Sequence, residues 1–235
     1  MYDLVIIGGG PTGISVGVEA QKAGLNYLII EKGVLANSIY HFPANMTFFS
    51  TSKNLEIADI PFISHTDKPT RREALEYYRR IVESYKLRIH YYEEVTVVDQ
   101  THTGGYTVHS SRGSYTTKNI AVTVGFYDTP RLLNIPGEEL PKVKHYYDEV
   151  HPYVGQKVLI IGAANSACDV ALECWQKGAS EVTMAIRSHE IYPKVKYWIK
   201  PNIENRIKEG SIKAHFKTEV VEITCLLYTS PSPRD

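Results

Sequence analysis

The chain has few cysteines, no excess of either charge and no long apolar run, and each shortage closes off a class of function. Three cysteines in 235 residues cannot build a disulfide-stapled secreted scaffold. None of them forms a C-x-x-C pair or a spacing that suits a metal. The 26 basic residues balance 26 acidic ones, which speaks against nucleic acid or an anionic membrane surface as a partner. No apolar stretch approaches the roughly 20 residues that span a bilayer. Nor does a basic segment followed by a cleavable apolar one precede the first strand, so the expected location is the cytoplasm. Hydrophobic and aromatic material is plentiful: 43% hydrophobic residues and 17 tyrosines suffice for a substantial core.

Two segments share one design. DLVIIGGGPTGIS (3–15) and KVLIIGAANSACD (157–169) each run from an apolar strand through a glycine-containing turn into a helix. That order is the signature of a dinucleotide site, and two in one chain predict two nucleotide cofactors with electrons passing between them. In the first, Gly8, Gly10 and Gly13 complete G-x-G-x-x-G. Gly8 permits the tight turn, Gly10 lets backbone approach a pyrophosphate, and Gly13 lets the helix lie close to the strand. The free N–H groups of the helix start and their partial positive charge face the phosphates. Glu31 ends the next strand, 23 residues after Gly8, where a carboxylate accepts hydrogen bonds from ribose hydroxyls. In the second segment Gly162, Ala164 and Ala167 occupy the same three places. The match is looser, because a methyl group stands at the middle position. Arg187 stands where the first unit has its acid, 25 residues after Gly162. A cation there suits a 2′-phosphate, and so NADPH over NADH.

The remaining chain supplies the frame. Residues 3–7 and YLII (27–30) read as buried parallel strands joined by a helix that ends near Gly24. Residues 33–67 are aromatic, irregular and long enough to predict a binding loop. Thr70 and Glu73 have capping-box spacing and open a helix whose apolar face is Ala74, Leu75, Tyr78, Ile81, Val82 and Tyr85. RIHYY (88–92) reads as a strand. TVVDQ, YTVHS and YTTKNIAVTV, separated by Gly104-Gly105 and Arg112-Gly113, predict a three-stranded meander. Residues 126–155 show no periodicity and read as a linker. VTMAI (182–186) is a further strand, and a last helix starts at Pro201 and stops at Gly210. Cys168 and Cys174, six apart on one helix, read as small buried side chains that do not pair.

Two nucleotide units joined through a meander that ends in Thr123-Val124-Gly125 resemble the thioredoxin-reductase-like flavoproteins. Five segments bring the resemblance closer, to the bacillithiol disulfide reductase family. They are HFPANMTFFSTSKNLEI (41–57), PFISHTDKPTRREALEYYRR (61–80), YDTPRLLNIPGE (127–138), HPY (151–153) with Asn165-Ser166-Ala167, and VKYWIKPNIENRIKEGSI (195–212). The resemblance implies an α/β fold of two Rossmann-like dinucleotide-binding domains. An FAD domain with a β-meander covers 1–125, a linker 126–155, and an inserted NADPH domain 156–224. It also implies that Gly8, Gly10, Pro11, Thr12, Gly13, Glu31 and Lys32 contact FAD. Gly125 would approach FAD from the end of the meander, and Val95 would meet the adenine through its backbone. Gly162, Asn165, Ser166, Ala167 and Arg187 would hold NADPH. The implied reaction is hydride transfer from NADPH to the flavin, then reduction of a low-molecular-weight disulfide such as oxidised bacillithiol. Relatives of this fold are often homodimers.

The chain departs from these families in three places. Thioredoxin reductases carry a C-x-x-C before the second glycine turn, but residues 126–167 contain no cysteine, which excludes thioredoxin reduction by that route. The closer family commonly has cysteine at the position of Thr12, and a threonine cannot form a mixed disulfide. CLLYTSPSPRD (225–235) follows no structural logic from the strand-like segment before it and resembles a translated sequencing adapter. On that reading the tail is non-native and the C-terminal part of the FAD domain is missing. An electron-carrier protein as acceptor, as in the NADPH–ferredoxin or flavodoxin reductases, needs no redox cysteine and stands as the alternative to a disulfide. A non-catalytic, nucleotide-binding redox sensor is the other alternative. The F-x-G-x-x-x-H signature of flavin monooxygenases is absent, and none of His41, His145 and His151 is singled out as catalytic.

Overall fold

A computed structural model describes residues 1–102 and 104–224; the tail read as non-native, 225–235, lies outside the described residues. The chain divides into two compact units, Met1–Pro130 and a second that starts at Arg131.

In the first unit, β1 (Tyr2–Ile7), α1 (Pro11–Lys22) and β2 (Tyr27–Ile30) make the expected βαβ unit. It is followed by α2 (Asn37–Tyr40), α3 (Arg71–Tyr85), β3 (Ile89–His90) and the meander β4 (Val95–Gln100), β5 (Tyr106–Ser110) and β6 (Gly113–Val122). One six-stranded sheet results, in the order β3-β2-β1-β6-β5-β4. β1 runs parallel to both β2 and β6. The last meander strand therefore enters the parallel sheet and ends with Val122 beside Ile7, which delivers Thr123 to the glycine turn. Because successive strand residues point to opposite faces, both faces of β1 and β2 are apolar. Ile6 and Ile29 pack with Ile14, Val18, Ala74, Tyr78 and Ile81 on one face; Val5, Ile7, Leu28 and Ile30 pack with Val108 on the other.

The capping box forms with both its arms. The Thr70 hydroxyl accepts from the Glu73 N–H at 3.3 Å, and the Glu73 carboxylate accepts from the Thr70 N–H at 2.7 Å. The expected stripe of α3 is buried at Ala74, Tyr78 and Ile81, with Leu75, Val82 and Tyr85 packed at its margin; Tyr77 is buried as well. The Tyr77 hydroxyl lies 2.8 Å from both Ile57 N and Ile60 O, so its polar atom is satisfied inside the core. Those backbone groups belong to the segment 33–67, which also sends Ile39 and Phe62 into the same core. Much of the segment expected as a binding loop is thus a cover for α3. The strand expected at 88–92 is shorter, because the backbone turns away at Tyr92 with φ +54°.

The second unit is an α/β unit of the same kind: β7 (Lys157–Ile161), α4 (Asn165–Gln176), β8 (Glu181–Ile186), α5 (Lys200–Lys208) and β9 (Lys213–Phe216). Its sheet is parallel, in the order β7-β8-β9. Cys168, Ala171 and Cys174 of α4 are buried, as are Met184 and Ile186 of β8 and Ile203 of α5. Both cysteines are free. Residues 131–155 hold a 3-10 turn at His151–Tyr153 and fold around Glu138. Its carboxylate accepts from the N–H groups of Leu133 (2.8 Å) and Asn134 (2.7 Å) and lies 3.0 Å from His145 Nε2.

Candidate functional site

The two glycine turns are anchored alike. The Gly8 N–H donates to Ile30 O at 2.8 Å, and the Gly162 N–H donates to Ala185 O at 3.0 Å. Both glycines have left-handed φ, +110° and +128°. Two residues later Gly10 and Ala164 adopt nearly the same extended conformation, with φ −78°, ψ −177° and φ −91°, ψ −178°. Each is the N-cap of a 12-residue helix that no side chain caps and whose first turn holds no acid. The orphan N–H groups of α1 and α4 are therefore open to an anion, with the helix dipole behind them.

The three glycines of the first turn are required for different reasons. A Cβ on Gly8 would lie 2.6 Å from Thr123 O, and one on Gly13 would lie 1.9 Å from Gly8 O, so packing alone forbids side chains at both. A Cβ on Gly10 would meet nothing within 4 Å. The space before Gly10 is external to the fold, and the residues around it fit a pyrophosphate. At the second turn a Cβ on Gly162 would meet the Ala167 methyl at 3.5 Å, an ordinary contact. The helix stands off from the strand just far enough for alanine, and the methyl groups of Ala164 and Ala167 leave the turn geometry unchanged.

Glu31 is 5% exposed and ties two loops together. The Gly9 N–H donates to its Oε2 at 2.6 Å and the Gly33 N–H to its Oε1 at 2.9 Å. Each oxygen keeps a lone pair for a further donor, so the carboxylate that shapes the turn can also receive ribose hydroxyls. Thr123 supports the other side: its N–H donates to Ile7 O at 2.8 Å, and its hydroxyl lies 2.9 Å from the carbonyls of Ile7 and Gly8. Pro11 opens α1, and Thr12 is exposed on its first turn. Gly125, two residues past Thr123, is exposed with φ +70°. Lys32 is paired with Asp128 at 3.1 Å, a partner that sequence spacing does not reveal. Gly8, Gly10, Pro11, Thr12, Gly13 and Glu31 thus gather at the carboxyl ends of β1 and β2. Val95 lies apart from them, with its side chain in the cluster of Val5, Ile7, Leu28, Ile30 and Val108.

Between Val95 and Glu31 stands a residue the sequence reading missed. Glu93 is 1% exposed, and its N–H donates to Glu31 O at 2.9 Å. Its carboxylate accepts from the Tyr115 hydroxyl at 2.6 Å and from the Ser110 hydroxyl, and lies 2.9 Å from His90 Nδ1. Burial alone pushes this carboxyl up, but the hydrogen bonds from Ser110, Tyr115 and His90 outweigh it and hold it below its ordinary value. Burial and the contact with Glu93 push Tyr115 up to about 12. The network borders an open groove of about 490 Å³ lined by His90, Tyr91, Tyr92, Arg112 and Tyr115. In sequence, Glu93-Glu94 looks like a solvated acidic pair. The apolar alternation of the strands around it was the one available hint.

In the second unit, Arg187 is exposed just past the end of β8, one residue beyond the place of Glu31, which Ile186 takes because the Gly162 N–H meets Ala185 O; Ser166 is exposed on the first turn of α4. Asn165 Oδ1 accepts from the Lys196 N–H at 2.9 Å, and Ala163 O accepts from the Tyr192 N–H at 3.1 Å. The segment 188–199 is thereby folded back onto the glycine turn. Burial pushes the Cys168 thiol up to about 12 and the Cys174 thiol up to about 11, which makes both poor nucleophiles. Among the described residues no group of three His, Cys, Asp or Glu could hold a metal ion, and no helix is long and apolar enough to cross a membrane.

A family model described as pyridine nucleotide-disulphide oxidoreductase matches residues 5–229. The bacilliredoxin reductase Bdr of Bacillus subtilis (strain 168) is 42% identical over 220 residues, which are 94% of this chain and 68% of the relative. Among solved structures, the bacillithiol disulfide reductase Bdr (YpdA) from Staphylococcus aureus matches with a TM-score of 0.90 at 40% identity, covering 94% of this chain and 68% of that one. The Bacillus cereus protein of the same name matches at 0.91 and 43% identity, covering 95% and 70%. This chain spans about two thirds of the length of these relatives.

Proposed function

The chain belongs to the pyridine nucleotide-disulphide oxidoreductase family, and on that premise we propose that it reduces a low-molecular-weight disulfide, with NADPH as electron donor and FAD as the carrier between them. It is an oxidoreductase whose cofactors are FAD and NADPH. Two relatives at 40% and 43% identity are named for bacillithiol disulfide, and that is the substrate we assign. The observation that carries this reading is the presence, in one chain, of two uncapped helix starts, each behind a left-handed glycine.

In this reading Gly8, Gly10, Pro11, Thr12 and Gly13 enclose the FAD pyrophosphate, and Glu31 receives the ribose hydroxyls. Lys32 and Gly125 border the cofactor, and Val95 meets the adenine through its backbone. Gly162, Asn165, Ser166 and Ala167 hold the NADPH pyrophosphate, and Arg187 holds its 2′-phosphate. Residues 1–125 form the FAD part, 126–155 the linker and 156–224 the NADPH domain. When bound, FAD supplies two-electron chemistry, so that NADPH, a proton and a disulfide become NADP⁺ and two thiols. Residues 1–167 contain no cysteine, and Cys168 and Cys174 are buried. These residues therefore bind, orient and exclude water, and form no mixed disulfide of their own. We place the protein in the cytoplasm, where thiols stay reduced, as a homodimer that light scattering can test.

Thr12 also favours a second acceptor, an electron-carrier protein, since such a partner asks for no protein thiol. The experiment is to purify the protein, record a flavin absorbance band that NADPH bleaches, and follow NADPH oxidation with bacillithiol disulfide and with oxidised ferredoxin. Turnover with the disulfide supports the main reading. Turnover with ferredoxin alone selects the second, and a protein that binds no flavin overturns both.

A further inference from the structure

Lys217 follows β9 one register step beyond the last paired residues, Ile186 and Phe216. Its backbone therefore lies next to Arg187, just past the paired strands. The backbone fixes the placement: the Lys217 N–H donates to Ser188 O at 2.9 Å, and the Thr218 N–H donates to Ile186 O at 3.0 Å. Lys217 itself has a left-handed φ of +51°, a conformation that glycine or asparagine adopts more readily than lysine. Both cations are exposed, and among the described residues neither side chain has a hydrogen-bonding or ion-pair partner.

The first unit supplies an internal comparison. There the Gly8 N–H meets Ile30 O, whereas in the second unit the Gly162 N–H meets Ala185 O, so Glu31 corresponds to Ile186 and Arg187 to Lys32, one residue further on. Past its second strand the first unit thus carries an acid and then a lysine paired with Asp128, and the second carries an apolar residue and then an arginine beside Lys217. Ligands of open parallel sheets lie outside the carboxyl ends of the strands, which is where Glu31, Arg187 and Lys217 stand. An acid suits a bare ribose, whereas paired cations suit a dianion.

We propose that Lys217 is a second 2′-phosphate-binding residue, acting with Arg187 as a clamp that selects NADPH over NADH. This rests on the NADPH reading of the second unit. The test is calorimetric titration of the 235-residue chain with 2′,5′-ADP and with 5′-AMP. Wild type should bind 2′,5′-ADP more tightly. Lys217→Ala should weaken 2′,5′-ADP about tenfold and leave 5′-AMP within about twofold, and Lys217→Arg should keep most of the preference. Lys217→Gly, which suits the left-handed backbone, should lose affinity as Lys217→Ala does, which separates charge from conformation. Equal weakening of both ligands, or no change in either, overturns the clamp and leaves the NADPH reading on Arg187 alone. A wild-type chain that binds both ligands equally, or neither, overturns the NADPH reading and the clamp with it.

Discussion

The backbone N–H of Gly9 meets the Glu31 carboxylate at 2.6 Å, so the acid that ends the second strand also shapes the glycine turn that follows the first. One side chain serves both the fold and the ligand. Arg187 cannot do the same in the second unit, because a guanidinium accepts no hydrogen bond. That turn is held instead by the folded-back segment 188–199, through Tyr192 on Ala163 and Lys196 on Asn165.

Removing the Glu31 carboxylate should therefore unfold the turn as well as weaken FAD binding. Glu31→Ala leaves the N–H groups of Gly9 and Gly33 without an acceptor. Each unsatisfied donor costs about 1–3 kcal/mol, so the loss of unfolding free energy should be about 2–6 kcal/mol. Glu31→Gln keeps one acceptor oxygen and should cost roughly half as much. Urea denaturation measures both, and an unchanged midpoint for Glu31→Ala would show that the carboxylate does not hold the turn.

The third glycine position should respond unequally in the two units. Gly13→Ala forces a methyl to within 1.9 Å of Gly8 O and 2.9 Å of Thr123 Oγ1, and backbone cannot give way cheaply. A loss of about 3 kcal/mol or more is expected. Ala167→Gly removes a methyl that has room and should cost only about 1 kcal/mol, through lost helix propensity. Comparable losses in the two variants, measured as urea midpoints, would mean that the first turn relaxes where its geometry says it should not.

Much of this architecture was legible in the sequence because it rests on short-range rules. The G-x-G-x-x-G turn, the Thr70–Glu73 box and the meander punctuated by Gly104-Gly105 and Arg112-Gly113 all depend on residues a few positions apart. Long-range polar contacts were not legible. Tyr77 lies outside the apolar stripe read from helical period, because its burial depends on carbonyls some 20 residues away at Ile57 and Ile60. Lys32–Asp128 and Glu93–Tyr115 join residues that no local pattern connects. The aromatic, irregular segment 33–67 reads as a binding loop, yet composition cannot separate a loop that binds from a loop that covers a helix. Lys217 carried no sequence signal, since only the backbone bonds after β9, to Ser188 and Ile186, bring it next to Arg187.

Cysteine chemistry should be confined to what exposure and helix position allow. Cys168 and Cys174 are both fully buried, with thiols raised by burial, so iodoacetamide should leave their peptides unmodified until the protein is denatured. Thr12→Cys should behave differently. It places a thiol on the exposed first turn of α1, where the helix dipole favours the thiolate. Peptide mass spectrometry should show fast alkylation there and a mixed disulfide after exposure to a small disulfide. If Cys168 labels as fast as the introduced cysteine, burial is not what silences it.

Glu93 and Tyr115 should shape the pH dependence of the first unit from opposite ends. The Glu93 carboxyl is held below its ordinary value of 4.5, so the folded state binds its proton less readily than the unfolded state does. Its contribution is complete above pH 4.5 and is lost as pH falls through the lower folded value. Tyr115 is raised from 10.0 to about 12, so its contribution is complete below pH 10 and is lost as pH rises towards 12. Urea titrations across pH should therefore give Glu93→Gln a flatter acid arm and Tyr115→Phe a flatter alkaline arm. The two arms are also linked. Tyr115→Phe removes one of the donors that depress Glu93, so its acid transition should move to higher pH. An acid arm unmoved by Tyr115→Phe would mean that the phenol contributes nothing to the carboxylate it touches.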